Sequence, residues 1–452
     1  METKTITSAL DDSLFSDKIY KKLYTFLTYW LVLSPIIVIP FESIGIKFNI
    51  IAQTMLISML FIFVKFFEII FNIKKLNFKN KTIIDYLLIG LASWLIISIM
   101  VNQSFNSGII YGLTYFCCFC LLLNIDKSQY KKIGIVFVCE MIFNTILGLI
   151  DLKNQIIPGF IDNEHGRFVM SMQFFNPNWS GFIVIIAEML CLWFVCSSEK
   201  KWQKVLFFVG YVVMTIGLFV GGSYAPELFL FLCELSFIIY LWIKNKKCPW
   251  WLLSAFLTTI FISFAVWFVP AFREACRARA NFFYETLAVI DNIFGTNLVK
   301  GVSTLFDKLF GWGVFEKVIG SDGWERNELT SLTFDAIFSS GKSFIFGYGC
   351  GYIHSDIQVH NCFLVIWLEF GIVGLLLYLA IIAMLIVRFV RICKSDLVVL
   401  LLAIFVMLLC DSCFCCIEPY FYPAFTIFSA IIYKNLYSVE LKEKVNKNVL
   451  HK

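Results

Sequence analysis

The stretch from His360 to Gly374, HNCFLVIWLEFGIVG, sets an imidazole and a carboxamide side by side at the start of a long apolar run. A Gly-x-x-Gly step, Gly371 and Gly374, follows inside that run. Burying unpaired polar groups costs several kcal/mol. The His360–Asn361 pair therefore belongs at a membrane–water boundary, facing a cavity where its polarity is used. Besides His165 and His354, His360 is the one base of the polar rim that can titrate near neutral pH. A histidine at a helix start is more often structural, and it is the company of Asn361, Glu369 and the glycine step that favours function. Glu369 falls about two and a half helical turns beyond His360, where an unpaired carboxylate is expensive.

Arginine usage marks a second set of candidates. The chain has 30 Lys and seven Arg, and five of the arginines (Arg167, Arg273, Arg277, Arg279 and Arg326) fall in two long loops on one side. In so lysine-rich a chain, arginine argues for a permanently charged planar fork that holds phosphate oxygens bidentately. Arg167 has Glu164 and His165 beside it, and Arg326 stands among Asp322, Glu325 and Glu328. Arg273, Arg277 and Arg279 read equally well as a solvated helix face or a snorkelling anchor. Asn176-Pro177-Asn178 reads as a helix start, since Pro suits a first turn and Asn caps well. The positive end of that helix would also suit an anion held beside Arg167. Glu188, Glu234 and Asp411 are further acids inside apolar runs, and helix-packing hydrogen bonds explain them as well as catalysis does. Gly347-Tyr348-Gly349-Cys350-Gly351 reads as a turn that aims the His–Asn helix, with a phosphate cradle as the weaker alternative.

The elements that must position these residues are membrane helices. The chain is 60% hydrophobic with a mean hydropathy of +0.81, and only 15% of its residues are charged. A soluble chain would carry roughly a quarter. Twelve runs are long enough to span a bilayer, at about 22–40, 50–71, 83–102, 108–124, 131–151, 176–197, 204–222, 225–243, 250–270, 362–388, 396–416 and 421–437. The fold class expected is an all-α polytopic membrane protein of about twelve transmembrane helices, with a large extracytoplasmic loop between the ninth and tenth. The lysine-rich loops alternate along the chain, which places both termini in the cytoplasm by the positive-inside rule. Residues 1–271 then hold nine helices and the outer loop 152–175, residues 272–359 form the large outer loop, and 360–452 hold three helices and a cytoplasmic tail. Within the large loop, 282–319 shows helical spacing suited to a membrane surface. The net charge of +5 lies in loops and does not indicate nucleic acid. Most of the 16 cysteines lie in apolar runs, and no zinc-like spacing is present; metal binding by Cys413, Cys415 and Cys416 is a minor reading. The N-terminus lacks the pattern of a removable signal. No Walker or dinucleotide-binding glycine loop is present.

In combination these features resemble the O-antigen polymerase and O-antigen ligase superfamily. The ligase-type signature of that superfamily is His, then Asn, Ser or Gln, nine residues, then Gly-x-x-Gly, and His360, Asn361, Gly371 and Gly374 match it. RFVMSMQFFNPNWSG, from Arg167 to Gly181, is similar to the family's arginine-to-NPN element, and SSGKSFIFGYGCGY to the segment before the histidine. The resemblance covers most of 150–420. A departure is Ser223-Tyr224, where many relatives carry Ser-Arg; Arg326 or the 273–279 cluster would then substitute.

The resemblance implies a GT-C-like fold and glycosyl transfer on the outer face of a bacterial plasma membrane, from a saccharide linked to undecaprenyl diphosphate. It implies Arg167 and Arg326 as diphosphate contacts and His360 as general base or acceptor-positioning residue. Asn176, Asn178, Asn361, Arg273, Arg277, Arg279 and Glu369 would bind substrate. No cofactor, metal or nucleotide is called for, and the partners expected are the lipid-linked oligosaccharide, the bilayer, a flippase and a chain-length regulator. Polymerase is favoured over ligase, which would move the finished glycan to lipid A core or to protein. A carrier without chemistry is the alternative from another class. Carriers usually show two similar halves and polar midplane residues at broken helices, whereas the sequence suggests polar groups on one side, in two unequal loops, which argues for an enzyme.

Overall fold

In hydrocarbon a backbone can satisfy its own N–H and C=O groups only by coiling into helices or closing a barrel. The computed structural model describes residues 2–43, 50–71, 83–104, 129–154, 161–164, 167–170, 177–221, 224–246, 250–267, 331–349 and 361–392, with single positions between 114 and 125 and at 269. These residues are helical almost throughout. The helices are α1 (Glu2–Ser43), α2 (Ile50–Phe71), α3 (Ile83–Asn102), α4 (Tyr130–Asn154), α5 (Pro177–Ser197), α6 (Lys201–Gly221), α7 (Tyr224–Asn245), α8 (Trp250–Trp267), α9 (Gly341–Phe346) and α10 (Cys362–Ile392). Residues 331–338 are also helical. The all-α expectation holds for these apolar runs, and the segment 152–175 adds one antiparallel hairpin. Its strands, β1 (Ile161–Glu164) and β2 (Arg167–Met170), are linked by two residues, a length suited to antiparallel pairing.

Among the described residues, six helices are long and apolar enough to cross a membrane. Their outer faces agree. Trp202, Val205, Leu206 and Val209 on α6, and Leu228, Leu232, Ile239 and Ile243 on α7, form exposed apolar stripes at helical spacing. In water such stripes would be an aggregation liability; in lipid they are the solvent-facing surface.

The chain divides into two units, Met1–Glu140 with Arg326–Lys452, and Met141–Glu325. In the first, α1 packs on α2 around Tyr24, Leu27, Leu31 and Ile57. Pro35 inside α1 cannot donate to the carbonyl of Leu31, and the Ser34 hydroxyl bonds that oxygen at 2.8 Å. Lys65, a cation in the middle of α2, is paired with Glu68 at 2.8 Å and with Asn124 at 3.0 Å. Also in this unit, α3, α9 and α10 pack together.

In the second unit α5 is buried nearly all round, against α6, α7 and α8. Small residues permit the close approaches. A Cβ on Gly181 would lie 2.6 Å from Pro226 Cγ, and one on Gly210 2.4 Å from Ile142 Cδ1.

Candidate functional site

The motif-bearing segment is a capped helix that breaks after nine residues. Asn361 is the cap: its Oδ1 accepts from the backbone N–H of Phe363 at 3.0 Å and of Leu364 at 3.1 Å. The helix then runs from Cys362 to Phe370. At Gly371 the backbone turns to φ 69°, ψ −179°, outside helical space, before α10 resumes. A helical break strands the carbonyls on its near side, and each of the three here has a donor. Leu368 O accepts from Tyr348 N at 2.8 Å, Glu369 O from Gly349 N at 2.8 Å, and Phe370 O from Trp94 Nε1 at 2.8 Å. On α3, Ser98 donates to Phe346 O at 2.7 Å, and Trp94 stacks on Phe346 with ring centroids 5.2 Å apart.

The Gly-x-x-Gly step is therefore more than close packing. A Cβ on Gly371 would lie 1.9 Å from Ile345 O, and one on Gly347, at φ 69°, would lie 2.4 Å from Glu369 O. The two backbones meet where no side chain fits. The approach is fixed from the other side by α9, whose Ser340–Ser343 capping box closes at 3.0 Å in both directions. Phe334, Phe338 and Phe344 then pack around Trp367. As for the weaker phosphate-cradle reading of Gly347–Gly351, the amides of Gly347, Tyr348 and Gly349 already donate to Ser343 O, Leu368 O and Glu369 O, which corrects it for those three.

Of the residues singled out from the sequence, Asn361 and Glu369 thus share the first part of α10, eight positions and about 12 Å of axis apart. Glu369 is buried beside the break. Arg167 stands on β2 opposite Glu164 in the hairpin register, and Asn178 in the first turn of α5. The hairpin strand β2 packs against α5 and α6, so Arg167 and Asn178 belong to neighbouring elements of the second unit. His360, Asn176, Arg273, Arg277, Arg279 and Arg326 lie outside the described residues. So do the helix expected within 282–319, the last two apolar runs, Asp411 and the Cys413–Cys416 cluster.

A further polar cluster was only half legible in the sequence. Glu188 on α5 and Glu234 on α7 stand out there as acids needing partners; Tyr211 on α6 and Thr259 on α8 do not stand out at all. All four are buried. The Tyr211 hydroxyl donates to Glu234 Oε1 and shares a hydrogen bond with Thr259, whose hydroxyl lies 3.1 Å from Glu234 Oε1. A tyrosine and a threonine at the centres of otherwise apolar helices were the available signal. The expectation that polar groups gather on one side is corrected by this cluster, which sits at the middle of its helices. Compared with known protein families and with curated proteins, the chain matches none.

Proposed function

We propose that this chain is a membrane glycosyltransferase of the O-antigen polymerase and ligase type, acting on an undecaprenyl-diphosphate-linked oligosaccharide at the outer face of a bacterial plasma membrane. One observation carries the proposal. The spacing His360-Asn361-x9-Gly371-x-x-Gly374 coincides with a single physical unit: a cap at Asn361, a rod of nine residues about 13 Å long, and a locked break at Gly371. Such a unit fixes Asn361 relative to the packed break, and His360 adjoins Asn361 in the sequence. A positioning device of that kind is what a general base requires, because proton transfer tolerates little misplacement.

In the proposed reaction an acceptor hydroxyl attacks the anomeric carbon while the diphosphate leaves. Arg167 and Arg326 offset the charge that develops on the leaving group, and His360 takes the hydroxyl proton. Polymerase is the favoured form, with the growing chain passing to another lipid-linked repeat unit. Full-length protein supplied with lipid-linked repeat units alone should build a glycan ladder; transfer that occurs only when lipid A core or protein acceptor is added would identify a ligase. Arg167→Lys, Arg326→Lys and His360→Ala should each shorten the ladder by about 100-fold in rate or more, with membrane insertion unchanged. Near-normal ladders from all three would overturn the assignment.

A carrier without chemistry is the second reading, and two observations favour it: a polar cluster at mid-helix depth and a discontinuous α10. Vesicles containing the protein that move a labelled lipid-linked saccharide between leaflets, leaving its glycan length unchanged, would establish that reading instead.

A further inference from the structure

The polar cluster of the second unit lies at one depth. Glu188 is the twelfth of the 21 residues of α5, Tyr211 the eleventh of 21 in α6, Glu234 the eleventh of 22 in α7, and Thr259 the tenth of 18 in α8. None of the four is more than 1% exposed. The hydrogen bonds among them are unevenly shared. Glu234 Oε1 takes both the Tyr211 and the Thr259 hydroxyls, whereas Glu234 Oε2 and both carboxylate oxygens of Glu188 have no hydrogen-bond partner among the described residues. The Thr215 hydroxyl beside Glu188 is committed to Tyr211 O at 2.9 Å.

Three carboxylate oxygens are thus enclosed in an apolar bundle without a donor. The groups acting on Glu188 are Glu234 from α7 and Thr215 and Tyr211 from α6; α8 adds Thr259, which does not titrate. No basic side chain is among them. The lysines of these helices, Lys201, Lys204 and Lys244, stand in the first or last turn. The other buried acids of this unit, Asp151 and Glu227, lie near the end of α4 and the start of α7. Two carboxylates in hydrocarbon without a positive partner are strongly unfavourable. With one of the two carboxyls protonated, the oxygen donors here, carboxyl, carboxylate and hydroxyl, carry one negative charge, which one cation of single charge offsets.

We infer that Glu188 and Glu234 form a binding site for one exchangeable monovalent cation, a proton or a sodium ion, at the midpoint of the α5–α8 bundle. Glu234 keeps the hydroxyl donors on Oε1 and turns Oε2 to the cation; Glu188 supplies the second carboxyl group, and the pair shares one proton so that one negative charge faces one cation. The site does not depend on the glycosyl-transfer proposal, since it uses none of the same residues.

The test uses the full chain in detergent. Dicyclohexylcarbodiimide modifies protonated carboxyls in apolar surroundings, and peptide mass spectrometry locates the adduct. Labelling at Glu188 or Glu234 should fall about tenfold for each pH unit above the midpoint of titration. If sodium is the occupant, sodium chloride suppresses labelling and raises the unfolding temperature at constant pH, and potassium chloride at equal ionic strength does not. If the occupant is a proton alone, the two salts act alike and only pH matters. Glu188→Gln, which removes no hydrogen bond, should fold and should lose the sodium or pH response, and Glu234→Gln provides a second variant with the same expectation. Wild-type labelling that is the same at every pH and in both salts, with unfolding of the same pH and salt dependence as Glu188→Gln, would overturn the inference, leaving Glu188 as a permanently neutral packing group.

Discussion

At the break in α10, three carbonyls are each met by a donor at 2.8 Å. At the midpoints of α5–α8, three carboxylate oxygens are met by none among the described residues. Both regions put polar groups among apolar helices, yet only the first supplies the partners. The donors at the break come from elements far apart in sequence, α3 and the segment after α9, so the discontinuity is built into the fold. The cluster in the second unit satisfies Glu234 Oε1 and stops there. Partners supplied by the fold mark architecture, and the unmet carboxyl oxygens are the observation on which the inferred cation site rests. The first region also has polar atoms without a partner, Ser104 Oγ and Trp367 Nε1, but these are a neutral hydroxyl and a neutral indole. An unmet hydroxyl or indole costs far less than an unmet carboxylate.

The comparison can be broken most forcefully at Gly371. Gly371→Ala forces a Cβ to within 1.9 Å of Ile345 O at a left-handed φ. Destabilisation of more than about 3 kcal/mol is expected, seen as loss of the monodisperse peak in size-exclusion chromatography. A variant that behaves as wild type would show that the break is not held by the close approach. Next in size is Ser98→Ala, which removes the nearer of two donors to Phe346 O, leaving Asn102 at 3.5 Å; a loss of about 1–3 kcal/mol is expected, read as a lowered unfolding temperature.

Asn361→Ala deletes the cap of α10 and should cost about 1 kcal/mol. Asn361→Asp keeps the capping oxygen and should keep the stability, so a fall in glycan synthesis in that variant isolates a role for the carboxamide nitrogen. The smallest effect belongs to the second region. Glu188→Gln should change stability by less than about 0.5 kcal/mol at acid pH, because no hydrogen bond is lost. A large destabilisation there would mean that the Glu188 carboxyl is a structural partner after all, and the contrast between the two regions would disappear.

Much of the helix layout was legible beforehand. The apolar runs at 50–71 and 83–102 became α2 (Ile50–Phe71) and α3 (Ile83–Asn102), and the Pro177 start of α5 followed from its Asn-Pro-Asn signal. The tenth run, expected as one helix over 362–388, instead breaks at Gly371. A glycine pair inside an apolar run reads equally as a packing face or a break. What separates the two is the carbonyl of Ile345, which a local pattern does not contain. The hairpin around Arg167 was likewise absent from the reading of 152–175, because two strands of four residues carry too little periodicity to stand out.

Glu188 and Glu234 show the same division most clearly. By sequence they are equivalent, single acids in the middle of apolar helices. Their difference depends on what the neighbouring helices present: Tyr211 and Thr259 point hydroxyls at Glu234, whereas the Thr215 hydroxyl beside Glu188 is bonded to the Tyr211 carbonyl. The sequence by itself determined where the chain must be helical, since about twenty apolar residues in lipid leave the backbone one local way to satisfy itself. The tertiary structure alone decided where a helix breaks and which buried carboxyl goes unmet. Those outcomes depend on donors and carbonyls that reach across from other helices, and hydropathy carries no record of them.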